Sequence, residues 1–125
     1  MTRTAAALRA LLVAVAAAGA GAVWPGPPNV HAAAEVKVAA REFLYVPKDL
    51  SAAPGDVTFV VTNEGVIEHN FVVEDAAKTA AAVIPIIEPR QTVQITATLH
   101  PGTYTIYCSL PGHREAGMVA ALKTR

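Results

Sequence analysis

The chain has 125 residues, with ten basic and ten acidic side chains and a formal net charge of zero at neutral pH. That length suits one domain, and the balanced charge gives no basic patch for nucleic acid and no electrostatic pull toward an anionic membrane surface. A single cysteine, Cys108, excludes an internal disulfide framework.

The first 34 residues differ from the rest. Arg3 and Arg9 lie in a positively charged start, an unbroken run of Ala, Leu, Val and Gly covers residues 10–22, and a Pro-rich stretch at 24–28 leads to Ala32-Ala33-Ala34. A basic start, an apolar centre and small residues at an A-x-A site predict a secretory signal peptide over 1–34, followed by a domain over 35–125. Cleavage after residue 22 would leave a short Pro-rich leader on that domain. An uncleaved anchor is the runner-up, but the apolar run falls short of the about 20 residues a spanning helix needs. No Arg-Arg pair and no cysteine near the site mark twin-arginine export or a lipid anchor. The expected location is periplasmic or extracellular, with no stable membrane insertion of the mature domain.

From Glu35 onward the pattern is β. Val36, Val38 and Ala40 alternate with polar or small residues. Ala53-Pro54-Gly55-Asp56 reads as a turn opening a strand over 57–62 that is rich in β-branched residues. Asn63-Glu64-Gly65 closes it, and residues 69–74 form the next candidate strand. Residues 75–82 are Ala-rich and suggest a helical turn, which Pro85 and Pro89 would limit. Residues 91–99 alternate strictly, with Val93, Ile95, Ala97 and Leu99 on one face. His100-Pro101-Gly102 reads as a turn, 103–108 as a strand, and 118–123 as a final one. Short strands at regular spacing predict an all-β antiparallel sandwich or barrel.

The chemistry concentrates at the end of the chain. Cys108, His113 and Met118 stand in Cys-x4-His-x4-Met spacing, directly after a strand, and every cysteine and methionine of the predicted mature domain lies within residues 108–118. A lone exposed thiol in an oxidising compartment is open to oxidation, so Cys108 must be buried, paired with another chain or metal-bound. Alternate residues of a strand share a face, which places Cys108 at the inner end of the face carrying Tyr104 and Ile106. Five extended residues span at most about 18 Å, so a folded loop rich in Pro and Gly can gather Cys108, His113 and Met118 at one point. His69, in Glu68-His69-Asn70-Phe71, would complete the set from another strand. Two imidazoles, a thiolate and a weak thioether are the donor set of a blue-copper site. Ligands that must be deprotonated make copper binding weaker in acid. Zinc competes for a Cys/His set, but thioether is an unusual zinc ligand.

These motifs resemble the small blue copper proteins, the cupredoxins, over residues 35–125. The long Cys-x4-His-x4-Met loop is similar to that of rusticyanin, auracyanin and sulfocyanin-type proteins, and the wider pattern to plastocyanin and azurin. The resemblance implies a cupredoxin-like Greek-key β-sandwich of about seven to eight strands. It implies one mononuclear type 1 copper site, with His69, Cys108 and His113 as equatorial ligands and Met118 as axial ligand. It further implies that Asn70 pins the two ligand-bearing segments together with Ser109 as partner, and that redox protein partners dock near His113, where Arg114 and Glu115 would influence their choice. The expected function is a non-enzymatic, monomeric carrier of single electrons cycling between Cu(I) and Cu(II). The alternative is a copper-binding subunit, store or chaperone serving a larger copper enzyme such as an oxidase or nitrite reductase. An enzyme in its own right would need a further copper with its own histidines, and only His100 is spare in the domain.

Overall fold

Alternation of side chains builds the first sheet. Strand β1 (Ala34–Arg41) buries Val36, Val38 and Ala40 and turns Glu35, Lys37 and Arg41 to solvent. Strand β4 (Gly55–Asn63) buries Val57, Phe59, Val61 and Asn63 on the same plan. In β7 (Thr92–Leu99) the face predicted to be apolar points inward, with Ala97 and Leu99 buried and Val93 and Ile95 half-buried. The outer faces of β4 and β7 are stitched by threonine pairs, Thr58 with Thr96 at 2.7 Å and Thr62 with Thr92 at 2.8 Å. The short β2 (Leu44–Val46) folds back on β1, and the sheet order is β2-β1-β4-β7, with β1 and β4 parallel. The computed structural model describes residue 21, residues 23–26 and residues 33–125. Most of the predicted signal segment over 1–34 thus lies outside the described residues, among which no helix is long and apolar enough to cross a membrane.

The second sheet has five strands: β3 (Asp49–Ala52), β5 (His69–Glu74), β6 (Ala80–Ile87), β8 (Gly102–Tyr107) and β9 (Val119–Thr124), in the order β3-β9-β8-β5-β6. All six residues of β5, which has a neighbouring strand on each side, are buried. The two sheets meet in a shared core. Tyr45 and Phe59 from the first sheet pack on Phe71 from the second, with ring centroids 5.7 and 5.3 Å away. Such aromatic pairs contribute roughly 0.5–1.5 kcal/mol each beyond the area they bury.

The result is an all-β sandwich of nine strands among the described residues, and the short β2 and β3 account for the excess over seven to eight. The helical turn expected over 75–82 is absent. Asp75 instead closes a hairpin, accepting the Thr79 N–H on its side chain at 2.9 Å, and the chain continues as β6. Alanine-rich sequence carries helix propensity, but pairing with the buried β5 overrides it. Pro85 is tolerated because β6 is an edge strand. The register jumps there, from Phe71 opposite Ile84 to His69 opposite Ile87, which marks a bulge at Pro85.

This topology fixes where a site can form. β5 and β9 both run antiparallel to β8. The start of β5, the end of β8 and the start of β9 therefore share one end of the sheet, and His69, Cys108 and Met118 occupy those three points.

Candidate metal centre

His69 is the first residue of β5 and is fully buried. The turn leading to it is tied down by Asn63, a buried side chain at the end of β4. Its amide donates to the carbonyls of Ile67 (2.8 Å) and Ile87 (2.9 Å), and its oxygen accepts the Gly65 N–H (2.9 Å). In sequence Asn63 looks like an ordinary turn residue. Its role depends on the approach of β6, which no local pattern announces.

Cys108 directly follows β8 and is fully buried. The Asn70 backbone N–H points at its sulfur, 3.4 Å away. The loop beyond Cys108 folds on its own backbone. His113 N–H donates to the Leu110 carbonyl (3.1 Å), Met118 N–H to the His113 carbonyl (3.1 Å), and Cys108 N–H to the Met118 carbonyl (3.2 Å). Gly112 and Gly117, with φ of 79° and 110°, supply the left-handed turns this path requires. Met118 is fully buried at the loop's end, its backbone bonded to both Cys108 and His113.

The loop thereby brings His113 against the other two residues. His113 Nδ1 lies 3.3 Å from His69 Nδ1 and 3.4 Å from Cys108 Sγ. One atom from each of the three residues falls within 4.8 Å of the others. Two imidazole nitrogens about 2.0 Å from one ion and about 120° apart would be about 3.5 Å from each other, close to the observed separation. Three donors turned toward one point, two aromatic nitrogens and a sulfur, match a soft-to-borderline metal ion.

The Asn70 side chain bridges the two segments. Its amide donates to the Ser109 hydroxyl at 2.6 Å, and its carbonyl accepts the Ser109 N–H at 2.7 Å. The Tyr45 hydroxyl, buried beneath, donates to the Asn70 backbone carbonyl at 2.5 Å. Burial pushes the Tyr45 hydroxyl far above the ordinary phenol range, with the nearby Cys108 adding to the effect, so it remains a donor.

Two further residues reach the site from the opposite sheet, and nothing in the motif spacing marks them. They form the β1–β2 turn. Phe43, held at φ 58°, packs its ring edge-on to His113, with centroids 5.2 Å apart. Glu42 places a carboxylate oxygen 3.8 Å from His69 Nε2 and accepts the Val66 N–H at 2.7 Å. That amide holds the Glu42 carboxyl below the usual carboxylate range. Burial, followed by the neighbouring His113, holds the His69 imidazole below its ordinary value, which keeps it neutral and available as a donor. His113 is half-buried, and the Phe43 ring beside it is exposed, as are Pro111 on the same loop and Val66 and Ile67 beside Glu42. Arg114 is stacked over the Tyr107 ring, 4.1 Å from its centroid.

A two-sheet β-sandwich carrying two histidines and a cysteine at one pole, with a buried methionine at the end of the same loop, defines a small single-site metalloprotein. The chain belongs to the plastocyanin/azurin family of copper binding proteins, whose family pattern matches residues 32–125. Its cofactor is copper, in one mononuclear type 1 site. No curated protein matches the chain. Among solved structures it is similar to the dithionite-reduced auracyanin of the photosynthetic bacterium Roseiflexus castenholzii, at 23% identity and a TM-score of 0.68, covering 75% of this chain and 98% of that one. It is also similar to auracyanin A, described as a "blue" copper protein of Chloroflexus aurantiacus, at 19% identity and a TM-score of 0.67, covering 75% of this chain and all of that one. Auracyanin B gives 22% identity and a TM-score of 0.67 over 74% of this chain and 89% of that one. At these identities the likeness establishes the shared fold.

Proposed function

We propose that the chain is a monomeric carrier of single electrons, exported from the cytoplasm, in which His69, Cys108, His113 and Met118 hold the copper. The convergence of His69 Nδ1, His113 Nδ1 and Cys108 Sγ carries this reading. Bound copper supplies the one-electron couple. The protein's part is to hold the donors still. Cys108 is fixed by a strand and by the Asn70 amide at its sulfur, and His113 by the backbone bonds of its loop. A donor set whose backbone is pinned in this way needs little rearrangement when the charge on the metal changes.

His113 is the half-buried member of the set, and the exposed Phe43 ring packs against it. Redox partners dock over this face, with the His113 ring as the route for the electron and Arg114 and Glu115 at its rim. The chain acts as a carrier rather than an enzyme. A further copper would need histidines of its own, and the domain's remaining one, His100, lies in a turn whose backbone N–H donates to the Tyr104 hydroxyl at 3.0 Å. The apolar 10–22 run and the Ala32-Ala33-Ala34 site support export through a cleaved signal.

The test is optical. Copper(II) added to the purified domain should produce intense absorption near about 600 nm from copper–thiolate bonding, and Cys108→Ser should abolish it. A copper-loaded, oxidised protein without that absorption would remove the electron-carrier reading in favour of storage or delivery.

A further inference from the structure

We propose that Glu42 is a positioning residue of the copper centre, its carboxylate accepting the Nε2–H of His69 and so fixing the tautomer and ring orientation of that ligand. The proposal rests on the ligand assignment above. If His69 gives Nδ1 to the metal, the ring's proton must sit on Nε2. That nitrogen is buried and has no hydrogen-bond partner. The nearby acceptor is Glu42 Oε1, 3.8 Å away. A shift of about 1 Å brings it to the 2.7–2.9 Å of a charge-assisted hydrogen bond.

Three features keep the carboxylate in place and charged. Its oxygen accepts the backbone N–H of Val66 at 2.7 Å and, more weakly, that of Ile67 at 3.4 Å. Gly65 leaves room for it, since a Cβ at that residue would lie 2.2 Å from the same oxygen. The adjacent Arg41 is turned to Glu64, 2.7 Å away, and does not neutralise Glu42. The same two-residue turn sets Phe43 against His113. One turn from the opposite sheet therefore backs both histidines.

A carboxylate behind a ligating imidazole raises its basicity and restricts its rotation, and losing such a partner commonly costs 10- to 100-fold in metal affinity. The added negative charge favours the more positive oxidation state, so Glu42 should lower the reduction potential. The experiment compares wild type, Glu42→Ala and Glu42→Gln in the full mature domain. Three quantities are measured: copper affinity, reduction potential, and solvent exchange of the His69 Nε2 proton by nitrogen-15 NMR of the diamagnetic Cu(I) form. Wild type should show a slowly exchanging proton on Nε2. Glu42→Ala should lose that protection, bind copper(II) about 10- to 100-fold more weakly, and rise in potential. A tenfold greater loss for Cu(II) than for Cu(I) corresponds to about 59 mV. Glu42→Gln keeps an acceptor for His69 and for the Val66 amide but not the charge. It should retain slow exchange while still raising the potential. Wild-type potentials in both variants, with the Nε2 proton still protected in Glu42→Ala, would overturn the proposal while leaving the copper site standing. A wild-type protein that never forms the copper–thiolate band would instead overturn the ligand assignment beneath it.

Discussion

Removing the Asn70 side chain tests whether the segments that carry His69 and Cys108 are joined as the geometry indicates. Asn70→Ala deletes two hydrogen bonds to Ser109, at 2.6 and 2.7 Å, while keeping the backbone N–H that faces the Cys108 sulfur. Each bond is worth a net of about 1 kcal/mol, and because Ser109 is exposed, water can satisfy its freed amide, so the expected loss is about 2 kcal/mol. For a domain of this size that lowers Tm by roughly 8–16 °C. Ser109→Ala removes one of the two bonds and should cost about half as much. The double variant should cost no more than Asn70→Ala alone, since both changes remove the same bridge. The assay is urea unfolding of the copper-free protein, so that metal binding does not mask the loss, with unchanged m values as the condition for comparison. A cost under about 0.5 kcal/mol for Asn70→Ala, or strictly additive single changes, would refute the bridge as a structural link.

Asn63→Ala should be more damaging, by about 3–5 kcal/mol in the same assay, because two buried hydrogen bonds and a part-buried one are lost and buried backbone partners are stranded. Met118→Leu preserves apolar volume at a buried position, so stability should change by less than about 1.5 kcal/mol. The copper–thiolate absorption should persist and the reduction potential should rise, since a weak donor to Cu(II) is removed. A lower potential by voltammetry would count against Met118 as a ligand. Gly65→Ala pushes its new Cβ onto the Glu42 carboxylate, the free end of a side chain that can swing aside. Near-wild-type thermal stability with a raised potential is expected, and a collapsed fold would show that the carboxylate cannot move.

The parts legible in sequence are those where chemistry and periodicity act locally. Val36, Val38 and Ala40, or Val93 to Leu99, declare a buried face by alternation alone, because a strand repeats every two residues. The convergence of Cys108 and His113 is legible because unusual side chains fall in one short loop. The start of β6 reads as helical because three alanines open it and Pro85 interrupts the β-branched run that follows, and its pairing with β5 makes it a strand. β2 and β3 have three and four residues, too few to show a period. Glu42 and Phe43 are not legible in sequence for a different reason. They lie 27 and 70 residues from the histidines they approach, Glu42 from His69 and Phe43 from His113. Contact depends on a tight turn in the facing sheet, with Phe43 in a left-handed conformation that its residue type does not favour.

The centre is built from both sheets. The four candidate ligands all come from one end of one sheet, and a site held by a single sheet could open as its loop moved away. The β1–β2 turn closes it from the other sheet. The Phe43 carbonyl lies 3.8 Å from the position a Cβ on Gly117 would take, the Phe43 ring meets His113, and the Glu42 carboxylate faces His69. Within the loop, Cys108, His113 and Met118 are already joined through their own amides and carbonyls. The entropy of ordering the donors is therefore lost when the sandwich folds, not when the metal arrives. In the proposed carrier, affinity and small rearrangement on electron transfer then share an origin in the packing of one sheet's turn against the other sheet's loop.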